Sequence, residues 1–184
     1  MKITNTDIPL VVRQTADTLE QAGFEAYLVG GCVRDLMLGK APKDWDLTTN
    51  AHPEQIQELF VEHYANNDFG TIGVKTEDED PTLAVIEITP YRSESGYTDL
   101  RRPDSVTFGV SLDEDLSRRD FTVNALAYRI KSETLVDHFG GIEDLKAKRL
   151  ATVGGAHERF NEDALRMMRA VRLAAELGFV IDGA

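Results

Sequence analysis

Residues 28–49, LVGGCVRDLMLGKAPKDWDLTT, decide the fold of this chain of 184 residues. An apolar strand ends at Gly30 and Gly31, a short helix and a loop follow, and a second strand carries Asp44 and Asp46. Two glycines before a helix let a backbone approach a ligand closely and leave free N–H groups that favour an anion. Because residues two apart in a strand point to one face, the two carboxylates project together. The stretch therefore predicts a phosphate site beside a carboxylate pair suited to Mg²⁺.

The carboxylate pair is weak evidence by itself, because the chain contains 32 Asp and Glu residues. Its context gives it weight: a glycine turn upstream, Arg34 and Asp35 in the intervening helix, and an apolar strand behind it. The other acidic pairs lie in polar runs and are expected to be solvated loop charges: Glu77 and Glu79, Asp78 and Asp80, and Asp113 and Asp115.

The composition limits the function classes. The chain has 20 Lys and Arg residues and 32 Asp and Glu residues, so its formal net charge is −12. This charge argues against binding nucleic acid through bulk charge. The single cysteine, Cys32, excludes an internal disulfide framework and fits a reducing cytosol. No apolar run approaches the roughly 18 residues of a membrane span, and no secretory signal is evident. We therefore expect a cytoplasmic protein with no membrane partner.

Glu87 interrupts the most apolar predicted strand, residues 83–89. A lone carboxylate in a buried strand is unfavourable unless it is paired or bound to a metal. Two interpretations stay open: an edge position that faces water, or a third metal-site carboxylate on a strand adjacent to Asp44 and Asp46. The other strands are predicted over residues 25–29, 45–49, 71–76, 106–108, 135–139 and 149–153, and helices over residues 7–22, from Pro53 and over 142–147.

Residues 91–104 are polar, lack apolar periodicity and are long for a connection, which predicts a mobile and functional loop. The following residues 116–128 are predicted to form a helix with a polar set, Arg119, Asp120 and Asn124, able to hydrogen-bond a sugar or phosphate. The alternative for this set is a surface salt-bridge cluster.

From Glu158 onward the pattern is strongly helical. In one continuous helix, Asp163, Arg166 and Arg169 share a broad polar face, and Arg172 follows them. The alternative is a surface helix with a simple Asp163–Arg166 ion pair. The last residues resemble the start of another element, so we expect a fragment of a longer protein.

In their order, these segments resemble the class II tRNA nucleotidyltransferases (CCA-adding enzymes) and their bacterial poly(A) polymerase relatives. The match covers nearly the whole chain. Four ordered motifs are more specific than any one alone: Gly30, Gly31, Arg34 and Asp35 with Asp44 and Asp46; RRDFTVNA at residues 118–125; Asp137, Gly140, Gly141, Asp144 and Leu145; and Glu162, Asp163, Arg166 and Arg169.

The resemblance implies an α/β (α+β) fold, a nucleotidyltransferase-type mixed β-sheet flanked by helices, as a catalytic head over residues 1–153. Residues 154–184 would begin a truncated helical neck. Asp44 and Asp46 would hold two Mg²⁺ ions. One ion would activate the 3′-hydroxyl of the RNA, and the other would steady the leaving pyrophosphate. From its strand position alone, Glu87 is a further candidate catalytic carboxylate.

The resemblance also implies a nucleotide site. Gly30, Gly31 and Arg34 would hold the triphosphate. Asp163 and Arg166 would read the Watson–Crick edge of the base, since an aspartate accepts from an exocyclic amine and an arginine donates to ring acceptors. The remaining members would lie near the ribose and phosphates or support the base site: Arg119, Asp120, Asn124, Arg169 and Arg172.

The implied function is Mg²⁺-dependent addition of CMP and AMP, from CTP and ATP, to the 3′ end of tRNA by a monomer. Downstream domains would grip most of the acceptor arm. Addition of A alone or of poly(A) remains an alternative, and so does a catalytically silent nucleotide-binding module. The length of residues 91–104 argues against a variant that adds only C.

Overall fold

The computed structural model describes residues 2–65, 69–98 and 103–183. Its strands are β1 (Ala26–Val29), β2 (Trp45–Thr49), β3 (His63–Ala65), β4 (Ile72–Lys75), β5 (Val85–Pro90), β6 (Arg92–Ser95), β7 (Ser105–Phe108), β8 (Leu126–Arg129), β9 (Thr134–Asp137), β10 (Arg149–Leu150) and β11 (Val180–Ile181). Its helices are α1 (Leu10–Gln21), α2 (Gly31–Met37), α3 (Pro53–Leu59), α4 (Leu112–Ser117), α5 (Gly141–Ala147), α6 (Ala156–Glu162) and α7 (Leu165–Leu177). Short 3₁₀ turns cover Asn5–Asp7 and Thr122–Asn124.

Seven strands form one mixed sheet in the order β3-β4-β5-β2-β1-β8-β9. β2 and β5 pair in parallel, and the other neighbours in this sheet pair antiparallel. The predicted mixed sheet flanked by helices is confirmed. The seven-stranded sheet also contains β3, which the sequence reasoning missed.

The two faces of the sheet have different partners. Leu28 and Leu47 point into the main core, where side chains of α1, α2 and α3 also pack. Tyr27 and Val29, their alternating neighbours on β1, instead join a smaller cluster with Leu116 of α4. Since Trp45 and Leu47 point into the main core, Asp46 between them faces the side of α4.

The predicted helix over residues 116–128 is wrong. Ser111 and Glu114 form a capping box, so α4 begins at Leu112 and ends at Ser117. Residues Leu126–Arg129 instead form β8 between β1 and β9, and the first three of them are buried. A strand covered on both faces lacks the alternation that identifies strands, so its apolar run imitates a helix.

The prediction of an unstructured loop over residues 91–104 is wrong at its start. Arg92–Ser95 forms β6, which pairs antiparallel with β7 as a hairpin. Residues 99–102 lie outside the described part of the chain, and the predicted mobility of the segment stays a prediction. Within the described ranges, none of the helices has the length and apolarity that a bilayer crossing requires.

The end of the described chain folds back onto the rest. β11 pairs in parallel with β10, and Ala170, Leu173 and Phe179 are buried in the main core. The last described residues therefore form a short strand beside β10.

Gly141, the first residue of α5, tests the packing beneath the site. A Cβ there would collide with the carbonyl oxygen of Thr122 and lie 3.0 Å from Leu126 Cδ2. Because backbone cannot move aside as a flexible side chain can, Gly141→Ala should destabilise the fold by ~1–3 kcal/mol.

Gly31→Ala is the matched control, because Gly31 is also the first residue of a seven-residue helix. Its added Cβ would meet only the guanidinium of Arg34, at 3.6 Å. The free energy of unfolding of both variants is measured in urea. For Gly31→Ala it should differ from that of wild type by under ~0.5 kcal/mol. Equal losses in the two variants would contradict the packing argument.

Candidate active site

Gly30, Asp46 and Arg119 meet where β1 ends and α2 begins. Gly30 has a φ of +79°, a left-handed conformation that favours glycine. A Cβ on Gly30 would lie 3.5 Å from Arg119 Nη1 and 3.7 Å from Asp46 Oδ2. Glycine therefore keeps open a corner between a carboxylate and a guanidinium.

Three carboxylates line one cleft of about 460 Å³ on this face of the sheet: Asp44, Asp46 and Glu87. In the parallel pairing of β2 with β5, Asp46 lies directly opposite Glu87. Because β5 is an interior strand between β4 and β2, the edge-position interpretation of Glu87 is wrong. Its predicted place on a strand adjacent to the aspartates is confirmed.

The electrostatics of Asp46 suit a bound cation. Burial, followed by the charge of Glu87, raises its pKa from 3.8 to about 6; Arg119 lowers it and Asp44 raises it further. Within the described ranges, no three His, Cys, Asp or Glu side chains are arranged to hold a metal ion by themselves. Asp44 and Asp46 fit Mg²⁺, which is usually held by one or two carboxylates together with phosphates and water.

Arg34, Asn124, Asp120 and Arg169 form a hydrogen-bonded chain beside this corner. Arg34 Nη1 donates to Asn124 Oδ1 at 2.7 Å, and Asn124 Nδ2 donates to Asp120 Oδ1 at 3.2 Å. Arg169 Nε donates to Asp120 Oδ2 at 2.8 Å. Residues from three of the four motifs are therefore brought together. The guanidinium of Arg34 lies against Gly31, 3.6 Å from the position of a Cβ there.

Asp115 is the structural residue that sequence reasoning missed. We expected a solvated loop charge, but Asp115 is fully buried. Its carboxylate accepts hydrogen bonds from Arg118 Nη2 at 2.8 Å, Arg119 Nη2 at 3.1 Å and Thr48 Oγ1 at 3.3 Å. Burial raises the pKa of Asp115, but Arg119 and Arg118 hold it below its ordinary value. Its spacing of three and four residues from these arginines, after a helix start at Ser111, could have revealed it.

The β6–β7 hairpin is tied to the same arginines. Glu94 accepts hydrogen bonds from Arg92 Nε at 2.9 Å, Arg118 Nη1 at 3.0 Å and the Tyr97 hydroxyl at 2.8 Å. A pocket of about 390 Å³ lies here, lined by residues that include Arg92, Glu94, Tyr97, Arg118, Arg119, Asp120, Asp163, Arg166 and Arg169.

The single continuous helix predicted after Glu158 is wrong. α6 ends at Glu162 because Asp163 has an extended backbone, with φ −141° and ψ 105°. Asp163 Oδ1 then accepts the backbone N–H of Leu165 at 2.9 Å and caps the first turn of α7.

The roles of the neighbouring arginines change with this break. Arg166 pairs with Glu162 at 2.7 Å and donates to the carbonyl of Arg118 at 3.2 Å, so its ion pair is with Glu162 and not with Asp163. Asp163 and Arg166 nevertheless line the same pocket. Arg172 is not among its lining residues; it is 68% exposed and lies 3.9 Å from Glu176.

Comparison with known proteins gives three kinds of match: sequence relatives, solved structures and a family model. The CCA-adding enzyme of Leuconostoc mesenteroides is 50% identical over an alignment of 189 positions, gaps included. The alignment covers 99% of this chain and 44% of that protein. The CCA-adding enzyme of Lactobacillus helveticus is 49% identical over 177 residues, covering 96% and 43%. The chain therefore spans less than half the length of these curated relatives.

The fold comparison agrees with the sequence match. The solved structure of the Bacillus stearothermophilus CCA-adding enzyme in complex with CTP is similar with a TM-score of 0.82 and 39% identity. The likeness covers 96% of this chain and 42% of that one. Residues 26–151 match the model of the poly(A) polymerase head domain. Since these residues are more than half of the chain, it belongs to the poly(A) polymerase head-domain family.

Proposed function

We propose that this chain is the catalytic head of an enzyme that adds CMP and AMP, from CTP and ATP, to the 3′ end of tRNA. The observation that carries the proposal is the open corner of Gly30, Asp46 and Arg119. It lies between a cleft of carboxylates and a pocket of arginines, and the 49–50% identical relatives are CCA-adding enzymes.

In this proposal Asp44 and Asp46 hold Mg²⁺. The ion, when bound, would favour the alkoxide form of the RNA 3′-hydroxyl and neutralise charge on the departing pyrophosphate. The raised pKa of Asp46 supports the assignment, because two negative neighbours and one positive neighbour leave a net attraction for a cation. Glu87, opposite Asp46, would accept the proton of the attacking hydroxyl or position it.

Arg34 and Arg119 would bind the triphosphate in the corner that Gly30 and Gly31 leave open. Asn124 is positioned by Arg34 and Asp120, which favours a role in orienting the ribose. Because such donors are already oriented, they need little reorganisation as negative charge develops on the phosphates in the transition state. Arg169, which pairs with Asp120, supports the same chain.

Base choice is assigned to Asp163 and Arg166, which line the arginine pocket. Capping of α7 uses Oδ1 of Asp163 and leaves Oδ2 for an exocyclic amine of cytosine or adenine. Arg172 does not line this pocket and is largely exposed, so we assign it only a supporting role from the exposed side of α7.

The proposed domain boundary follows β10. Residues 1–153 would form the head and residues 154–184 would begin the neck, since the family match ends at residue 151. Arg166 donates to the Arg118 carbonyl across this boundary, and Arg169 pairs with Asp120. Nucleotide binding would therefore require both parts.

The RNA would be held mainly outside this chain, which carries a net charge of −12. The proposed enzyme is cytoplasmic and monomeric. Two other readings are distinguished by assay: addition of A alone or of poly(A), and a silent nucleotide-binding module. The chain is 32% identical to a tRNA nucleotidyltransferase whose structure was solved with a primer tRNA and an incoming ATP analogue. This likeness favours an enzyme over the silent module.

Asp46→Asn tests the proposed chemistry. We expect the full-length wild type, with Mg²⁺, to restore CCA on tRNA that lacks CCA, CA or A, in assays with radiolabelled CTP and ATP. The variant should lose at least about a thousandfold in rate, because several kcal/mol of metal-dependent stabilisation are lost. Asp113→Asn, whose carboxylate is exposed, is the control. Near-normal turnover by Asp46→Asn would remove the metal assignment, and no incorporation by wild type would favour the silent module.

The same substitution should stabilise the metal-free protein. A carboxyl whose pKa is raised from 3.8 to about 6 costs stability increasingly as pH rises through that window. In EDTA and above pH 6, the free energy of unfolding of Asp46→Asn should be higher than that of wild type by up to ~3 kcal/mol. This difference should shrink toward pH 4. Denaturant unfolding from pH 4 to 8 measures this, and a difference independent of pH would contradict the electrostatic cause.

Asp163 substitutions separate base choice from helix capping. Asp163→Asn keeps an oxygen that can cap Leu165, yet it places an amide where the proposed template needs an acceptor. We expect Asp163→Asn to lose ~1–3 kcal/mol of discrimination among the four nucleoside triphosphates, while Asp163→Ala also loses helix stability. The measurement is kcat/KM for CTP, ATP, UTP and GTP. Unchanged ratios in Asp163→Asn would leave Asp163 as a helix cap alone.

A further inference from the structure

A row of four residues crosses the sheet beside the proposed metal site. Tyr64 of β3 pairs with Gly73 of β4, Gly73 pairs with Glu87 of β5, and Glu87 pairs with Asp46 of β2. Directly paired residues in a sheet project to the same face. The side chains of Tyr64, Glu87 and Asp46 therefore share one face, and between Tyr64 and Glu87 lies only Gly73 of β4.

Gly73 lets the Tyr64 ring lie across its strand. A Cβ on Gly73 would come within 2.5 Å of Tyr64 Cζ and 2.7 Å of Tyr64 Cε1. The ring therefore covers the place that a side chain on β4 would occupy, and it reaches toward Glu87. Tyr64 is 38% exposed and lines the carboxylate cleft together with Asp44, Asp46 and Glu87.

The cleft and Arg119 approach Asp46 from opposite sides. In the sheet order, β5, β4 and β3 extend to one side of β2, while β1 and β8 extend to the other. Arg119 approaches Asp46 at Gly30, the residue after β1. Nucleotidyl transfer needs the attacking oxygen and the leaving group in line on opposite sides of the α-phosphorus. If the triphosphate binds beside Arg119 at Gly30, the RNA end must enter over Glu87 and Tyr64.

We propose that Tyr64 is a stacking platform for the unpaired 3′-terminal base of the RNA acceptor. The inference rests on the proposed function. Unpaired RNA ends are commonly bound by stacking on aromatic side chains. Stacking tolerates any base, because every base has a π-face. This property suits an enzyme whose acceptor end changes after each addition.

The competing explanation is that Tyr64 is an ordinary strand residue, since aromatic side chains are favoured in strands. Three variants distinguish the two: Tyr64→Ala removes the ring, Tyr64→Phe keeps it, and Gly73→Ala displaces it. Val61→Ala is the matched control, because Val61 is 94% exposed and lies three residues before Tyr64.

The first measurement needs no catalysis. A tRNA acceptor minihelix that carries 2-aminopurine as its 3′-terminal base is titrated with each full-length variant, without nucleoside triphosphate. Stacking on the ring should quench the fluorescence with wild type, Tyr64→Phe and Val61→Ala. Quenching should be lost with Tyr64→Ala and reduced with Gly73→Ala.

The second measurement is steady-state addition to the same minihelix with an ordinary terminal base. Tyr64→Ala should raise the KM for RNA about 5- to 150-fold, which corresponds to ~1–3 kcal/mol per stacked base. The KM for CTP should stay within about twofold of wild type, and Tyr64→Phe should match wild type in both constants.

The outcomes separate this inference from the proposed function. If wild type adds nucleotides while Tyr64→Ala behaves like Val61→Ala in both measurements, stacking is refuted and the proposed function stands. If Tyr64→Ala raises the KM for CTP as much as the KM for RNA, the ring supports the site as a whole and the stacking role is wrong. If wild type adds no nucleotide, both proposals fall.

Discussion

The site depends on how two carboxylates are neutralised: Asp115 of α4, which is fully buried, and Asp46 of β2, which is partly buried. Asp115 meets Arg118 and Arg119, and its pKa is lowered. Asp46 is surrounded by Glu87, Asp44 and Arg119, and its pKa is raised. Burying a charge is costly unless partners compensate it, so Asp115 is compensated within the protein and Asp46 is not. Arg119 connects the two, because Nη2 donates to Asp115 while Nη1 lies beside the open corner at Gly30.

The same compensation links distant parts of the chain. Arg118 binds Asp115 of α4 and Glu94 of the β6–β7 hairpin, and its carbonyl accepts from Arg166 of α7. Three elements, the β6–β7 hairpin, α4 and the later helix α7, therefore meet at one residue. Packed interiors with fixed hydrogen bonds have few alternative arrangements. A shift of the β6–β7 hairpin would therefore also displace α7, which carries Arg166.

The sequence predicted what depends on local chemistry. The glycine turn, α2 and β2 with Asp46 follow from residues 28–49 alone, whereas Asp44, expected on the same strand, lies one residue before β2. The mixed sheet was implied by the family resemblance of the ordered motifs. The errors arose where distant contacts decide. Residues 126–129 look helical because both faces of β8 are covered, and Asp115 looks like a solvated charge until the arginines and Thr48 close over it. The α6–α7 break lies at Asp163, whose extended backbone and side-chain bond to Leu165 helical spacing cannot reveal.

Charge pairing also explains how an acidic chain can present an arginine-rich pocket. Arg92, Arg118, Arg166 and Arg169 line it, and each is already paired with a carboxylate. The pocket is therefore a set of oriented donors with little excess positive charge, unlike a basic surface patch. A nucleotide whose base bound there would gain from preset geometry, and most of the charge of its triphosphate, in the corner at Gly30, would have to be balanced by a cation at Asp44 and Asp46. Nucleotide and metal are then expected to bind together, since neither site is electrostatically complete without the other.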